Sequence, residues 1–220
     1  MSVLDRKLLR DLRRLRGQVI TIAAVIASGI AIFVSSLATY YSLQQNQAAY
    51  YRVSQFADVF VSLKRAPEAL LPRLRELPGI AQVEPRIVHD ITIDLPDQAL
   101  PLTGRLVSLP ADTIAPRLDR LYLRRGRLPT PRAANEVLVN EAFAAANHLH
   151  PGDRLAAILN GKLQQLRIVG VALSPEYVFA TRAGDAIPDD KRFGVLWMDH
   201  DAAAAAFDMS GGFNDLVVSL

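Results

Sequence analysis

Between Arg16 and Arg52 the sequence carries no charged residue, and inside that interval Val19 to Tyr41 form an apolar run of 23 residues, VITIAAVIASGIAIFVSSLATYY. At 1.5 Å per residue this makes roughly 34 Å of helix, enough to cross a hydrocarbon layer of about 30 Å with some tilt. The run therefore reads as a transmembrane helix over 18–41. Thr21, Ser28, Ser35, Ser36 and Thr39 fit it, because hydroxyls bond back to helix carbonyls, and Tyr40 and Tyr41 suit the far interface. A cleaved signal peptide begins in the same basic-then-apolar order. Its apolar region is normally about 7–15 residues long, shorter than this one, and Ser36-Leu37-Ala38 is an imperfect cleavage site.

The charge pattern gives the span a direction. Residues 1–17 carry Arg6, Lys7, Arg10, Arg13, Arg14 and Arg16 against Asp5 and Asp11, whereas the rest of the chain holds 19 basic and 20 acidic residues. The net charge of +3 and the pI of 9.4 thus belong to an arm. Those six basic residues predict a cytoplasmic N-terminus at the cell inner membrane, with everything after about residue 41 periplasmic or extracellular. Leu4, Leu8, Leu12 and Leu15 share one helical face, so the arm reads as an amphipathic helix on the bilayer's inner leaflet. No second basic element follows, and nucleic acid is not an expected partner. With no cysteine, disulfides, thiolate metal sites and a Cys nucleophile are excluded. Within the span, Ala23, Ala27 and Ala31 recur every four residues with Ser28 beside them, a spacing that lets another membrane helix approach closely.

After a polar stalk at 42–53 the hydrophobic period changes. Asp58–Leu63 reads as a strand and Pro67–Leu77 as a short helix in which Pro72 either lies in the first turn of a helix starting near Leu71 or kinks a longer one. One strand is predicted from Ile87 to Leu95, with Ile87, Ile91, Ile93 and Leu95 on one face, and Leu102–Leu109 is expected to pair back on it. Pro110–Arg132 reads as irregular chain with a short helix at Pro116–Leu123. A strand at Glu136–Asn140, an alanine-rich helix at Glu141–Asn147 and strands at Arg154–Leu159 and Leu163–Leu173 follow. The last two are joined by Asn160-Gly161, a pair that favours a type I′ hairpin because both residues tolerate positive φ. Pro175–Asp190 reads as loop, Phe193–Met198 as a strand, Asp201–Phe207 as a helix and Leu216–Leu220 as a strand. The fold class is α+β behind one membrane helix.

Seven stretches carry a resemblance. LPGIAQVEP at Leu77–Pro85, RGRLP at Arg125–Pro129, NEVLVNEA at Asn135–Ala142, LHPGD at Leu149–Asp153 and LRIVGV at Leu166–Val171 stand in order over nearly the whole chain, followed by SPEYV at Ser174–Val178 and RFGVLWM at Arg192–Met198. In these the chain resembles the N-terminal part of the permease subunit of MacB/FtsX-type ABC transporters. The resemblance implies a first membrane helix and a MacB-like periplasmic core domain, a porter-like α+β pair of halves at 54–110 and 191–220 around an inserted β-rich subdomain at 111–190. It also implies further membrane helices beyond Leu220, so these 220 residues are expected to be a fragment.

Gly161-Lys162 is followed by Leu163 in a hairpin, which is not a phosphate-cradling loop, so no cofactor is expected and ATP belongs to a separate cytoplasmic ABC ATPase subunit. His148, His150 and Asp153 stand in a Pro-Gly turn and read as solvated residues more than as metal ligands. His89 reads as a packing residue, and His200 as part of a helix start between Asp199 and Asp201. Ser174 lacks a nucleophile elbow, and Asp189-Asp190 lies in a charged loop. Arg124, Arg125 and Arg127 are expected to pair with acidic groups of a neighbouring domain rather than bind an anion. The reading is thus a non-enzymatic permease subunit of an export or lipid/lipoprotein transport system, joined to further permease helices or a second permease copy and to a periplasmic adaptor. The alternative is a single-pass adaptor or sensor whose outer domain binds a ligand or envelope protein.

Overall fold

The structure is a computed structural model that describes residues 10, 15–95, 100–110, 117–182, 184, 185 and 187–220. It divides into two units, Met1–Tyr50 and Tyr51–Leu220.

The first unit is dominated by α1, Arg16–Val53, a helix of 38 residues that continues past the expected span through the polar stalk. Its apolar side chains face outward: Ile20, Ile26, Phe33 and Leu37 are all exposed. Hydroxyls on it are satisfied within the helix, Thr21 Oγ1 donating to the Gly17 carbonyl at 3.0 Å and Thr39 Oγ1 to Ser35 at 2.9 Å. A helix this long, bare of acid and apolar over half its length has no stable place in water without lipid or other helices around it.

The second unit is α+β. Strand β1 (Val59–Pro67) leads through a 3-10 turn at Glu68–Leu70 into α2 (Leu71–Arg75), then β2 (Gln82–Arg86), β3 (Val88–Asp94) and β4 (Leu102–Ser108). There follow β5 (Tyr122–Gly126), β6 (Glu136–Asn140), α3 (Glu141–Ala146), β7 (Arg154–Leu159), β8 (Lys162–Leu173), β9 (Phe193–Met198), α4 (His200–Ala206) and β10 (Gly212–Ser219). Pro72 sits in the first turn of α2, where its missing N–H costs nothing. Asn160 and Gly161 have φ of 48° and 75°, the left-handed values that the β7–β8 hairpin turn requires.

These strands form two sheets. A small one runs β1-β10-β2, all antiparallel, and a large one runs β5-β8-β6-β9-β4-β3-β7. Because β7 also pairs with β8, the large sheet's ladder closes into a ring of six strands with β5 added alongside β8. The 12 residues of β8 make this possible: its first half pairs with β7 and its second with β6 and β5. One core lies on the face of Ile93, Leu106, Val139, Leu159, Ile168 and Leu196, with Phe143 of α3 packed into it. A second lies on the opposite face, holding Val107, Leu138, Val169, Val195 and Trp197. β6 and β9 are therefore buried on both faces, which is why β9 reads as an unbroken apolar run and β6 carries Val137-Leu138-Val139 at its centre.

The strand expected at Ile87–Leu95 is β3, and a further strand, β2, ends at Arg86 in the other sheet, with fully buried Ile87 as the crossing. Two expectations change. No helix occupies the described part of 116–123: residues 117–120 are irregular, and Tyr122–Gly126 is a strand because it finds β8 to pair with. Sheet membership also departs from the expected grouping at 110/111 and 190/191. β3, β4 and β9 belong with β5–β8 because β9 pairs parallel to β4 and antiparallel to β6. The small sheet keeps only β1, β2 and β10, with α2 packed on it through Leu71.

Candidate functional site

The small sheet has two different faces. Alternation puts Val83, Leu216 and Val218 toward Leu71 of α2, and puts the cross-strand row Ser62, Asp215 and Arg86 on the other side, beside the row Phe60, Val217 and Glu84. On that second face the guanidinium of Arg86 is almost wholly buried, its side chain 7% exposed. It donates from Nε to Asp215 Oδ1 at 2.8 Å and from Nη1 and Nη2 to the two oxygens of Glu176 at 2.6 and 3.2 Å. Ser62 Oγ donates to the second oxygen of Asp215 at 3.2 Å. Burial works against the Arg86 charge, and Glu176 and Asp215 outweigh it, holding the group protonated above the usual range. Glu176 comes from the 174–192 loop, so the node ties the small sheet to the large sheet's longest connection.

A second strap reaches the same node. Residues 117–120 lie against the first residues after α1: Asp119 N–H donates to the Gln55 carbonyl at 2.9 Å, Arg120 N–H to Ser54 at 2.8 Å, and Ala57 N–H to Asp119 Oδ1 at 3.0 Å. Glu84 of β2 accepts the N–H groups of Arg117 and Leu118 at 2.9 and 3.3 Å. Asp119 takes φ of 49° there, and its Oδ2 lies 3.8 Å from Arg86 Nη1. The polypeptide leaving α1, the small sheet and the large sheet thus meet at one buried arginine.

Beside the node a cleft of ≈ 460 Å³ opens between Phe56, Phe60 and Tyr177 on one side and His89, Asp90 and Arg105 on the other. Asp90 and Arg105 face each other across β3 and β4, with Arg105 Nε donating to Asp90 Oδ1 at 2.9 Å. Burial lowers the His89 pKa against the pull of Asp90, and its ring stacks on Phe207 at 4.3 Å. Burial and the neighbouring Glu176 push the Tyr177 phenol up. Among the described residues, Ser108 Oγ lies 3.4 Å from His200 Nδ1, with His200 Nε2 3.4 Å from Glu68. That hydroxyl is 2% exposed as a residue and already accepts the Ile87 N–H at 2.9 Å, which makes it a brace for the crossing between sheets.

The residues singled out from sequence fall elsewhere. Ala23, Ala27 and Ala31 lie exposed on α1, and Ser28 Oγ bonds within the helix to the Val25 carbonyl at 2.8 Å. Arg10 and Arg16 are exposed, while Arg6, Lys7, Arg13 and Arg14 lie outside the described residues, as does the amphipathic face of Leu4, Leu8 and Leu12. Arg124 pairs with Glu141 at 2.9 Å and Arg127 with Glu136 at 2.8 Å, acidic partners within residues 111–190, whereas a neighbouring domain was expected to supply them. Asp199 caps α4 by accepting the Ala202 N–H. His150 and Asp153 form a turn contact, and no group of three metal-ligating side chains occurs among the described residues. Sequence reasoning did not single out Arg86, Asp119 or Asp215. The available signal was a charge at strand positions whose alternate neighbours are apolar, together with Glu176 inside the SPEYV stretch.

No protein-family model and no curated protein matches the sequence. Among solved structures, the extracellular domain of the noncanonic ABC-type transporter YknZ from Gram-positive bacteria is 13% identical with a TM-score of 0.46, over 73% of this chain and 81% of that one. The periplasmic region of MacB from Actinobacillus actinomycetemcomitans is 14% identical with a TM-score of 0.44, over 73% and 66%. A domain of a putative permease protein from Porphyromonas gingivalis is 18% identical with a TM-score of 0.39, over 76% and 69%.

Proposed function

We propose that the chain is the first membrane span and outer domain of an ABC transporter permease, and that it passes ATP-driven movement of a cytoplasmic partner to the outer α+β unit. The carrying observation is α1: an exposed apolar helix of 38 residues whose end leads directly into the Ser54–Ala57 segment strapped to the Arg86 node. Movement of the span shifts that segment, and the node links the shift to both sheets. Ala23, Ala27, Ser28 and Ala31 are the surface for a neighbouring permease helix or a second copy. Arg6, Lys7, Arg10, Arg13, Arg14 and Arg16 hold the cytoplasmic arm at anionic lipid, and ATP is bound by the partner ATPase. The cargo class is a substrate handed outward, with a lipid, lipoprotein or adaptor met by the outer domain.

The chain has no cysteine, so single substitutions report without background. With a membrane-impermeant maleimide on intact cells, Lys162→Cys in the exposed hairpin is expected to label, and Ser2→Cys only after permeabilisation. In native membranes, vanadate trapping of ATP is expected to change the labelling rate of Asp90→Cys at the cleft by severalfold. Reversed topology overturns the orientation. An unchanged cleft in membranes where trapping occurs overturns the coupling and leaves the single-pass adaptor.

A further inference from the structure

Three carboxylates, Asp119, Glu176 and Asp215, stand around the single guanidinium of Arg86, and Glu84 adds a fourth negative charge beside Asp119. Three of the four are fully engaged. Glu176 takes two Arg86 donors, Asp215 takes Arg86 and Ser62, and Glu84 takes two backbone N–H groups. Asp119 is the exception. Its residue is 4% exposed, its Oδ1 accepts the Ala57 N–H, and its Oδ2 is buried with no hydrogen-bond partner among the described residues. That oxygen belongs to a residue lining a small cavity of ≈ 20 Å³, room for about one water, with Ser108, Ser174, Glu176 and Trp197 in its walls.

A buried carboxylate oxygen that accepts no hydrogen bond, its cation Arg86 3.8 Å away and shared with two other carboxylates, is in an unfavourable state, and a proton relieves it. We propose that Asp119 Oδ2 is a proton-binding site, and that its occupancy sets how firmly residues 117–120 hold the Ser54–Ala57 segment. Protonation leaves the Oδ1 acceptor for Ala57 in place, removes one of the crowded charges and supplies an O–H donor to the cavity. Loss of the proton gives the strap a reason to lift, since Asp119 is then better served by water. Burial is the main cause favouring the neutral form, Glu176 and Glu84 add to it, and Arg86 opposes it; the balance raises the group to about 6. The titratable and charged groups facing Asp119 are Glu84 and Arg86 from β2, Asp215 from β10, and Glu176 and Tyr177 from the 174–192 loop. Arg117 and Arg120 flank it on its own segment. The Ser54–Ala57 segment and the cavity residues Val107, Ser108 and Trp197 bring no group that titrates in this range.

The test is hydrogen–deuterium exchange on the full chain in lipid nanodiscs at pH 5 and pH 8, corrected for intrinsic exchange rates. The amides of Ala57, Asp119 and Arg120 are expected to be ~tenfold or more better protected at pH 5, following the proton linkage of the strap. In Asp119→Asn, whose amide mimics the protonated acid, high protection at both pH values is expected. Equal protection of the wild-type strap at both pH values, or an undiminished pH effect in D119N, overturns the proposal. Should D119N misfold, seen as lost protection in β6 and β9, the ¹³C carboxyl titration of wild-type Asp119 decides: a midpoint near 6 upholds the site, and one in the ordinary carboxylate range overturns it. The proposal does not rest on the permease reading, because the topology and vanadate results can fail while this midpoint stands.

Discussion

Glu136 and Asp119 are both tied into the α+β unit, yet they answer to pH in opposite senses. Glu136 accepts both terminal nitrogens of Arg127 and the Thr130 N–H at 2.8 Å. The Arg127 hydrogen bonds first, and Thr130 after them, lower its carboxyl to about 2. A carboxylate held below its unfolded value stabilises the fold above that unfolded value, and the contribution is lost as pH falls from about 4.5 toward 2. Asp119 is raised from 3.8 to about 6, so the folded chain holds a proton that the unfolded chain has released, and stability falls as pH rises through that window. Chemical denaturation at pH 6 and pH 3 separates the two. The wild-type advantage over Glu136→Gln is expected to be clear at pH 6 and cut by about half or somewhat more at pH 3, a double difference in which Asp119 cancels. An advantage that does not change between the two pH values overturns the assignment.

At the scale of elements, the β5–β8 contact depends on two glycines facing each other. Gly126 pairs with Gly170, has φ of 79°, and an added Cβ would meet the Val169 carbonyl and stand 2.7 Å from Gly170 Cα. Gly126→Ala is expected to cost about 2–4 kcal/mol in urea denaturation, from the left-handed backbone and the close approach together. A loss below 1 kcal/mol would show that the strands separate easily there. Elements whose signal is local were legible in the sequence: β6 and β9 as apolar runs, the β7–β8 hairpin from Asn160-Gly161, and α4 from its Asp199 cap. β2 was not, because Pro85 argues against a strand, and proline is tolerated there because β2 is an edge strand of the small sheet. β5 escapes the sequence, its first two residues falling in the helix expected at Pro116–Leu123 and the rest in irregular chain, because its pairing with β8 lies more than forty residues away. The node was hidden for the same reason. Arg86 finds Glu176 and Asp215 at separations of 90 and 129 residues, which no local window sees.

At the scale of the whole unit, the two sheets differ in how they depend on chain order. The large sheet's ladder closes on itself within residues 88–198, whereas the small sheet is assembled from β1 and β2 near the start and β10 near the end. β10 is its central strand, paired on one side to β1 and on the other to β2. Ending the chain before Gly212 is therefore expected to abolish amide protection in β1 and β2 and leave it in β6, β8 and β9. Equal loss everywhere would mean that the ring of strands needs the small sheet to fold. The grouping of strands into sheets escaped sequence reasoning because it is fixed by the parallel β4–β9 contact, which no periodicity records.

The late arrival of β10 also sets a clock. With synthesis at ~5–20 residues per second, the interval between emergence of Arg86 and of Gly212 lasts roughly 6–25 s. For all that time two strand edges stand without β10 and Arg86 lacks Asp215. A nascent chain in this state offers a holdase exposed strand edges, and the window closes when β10 emerges.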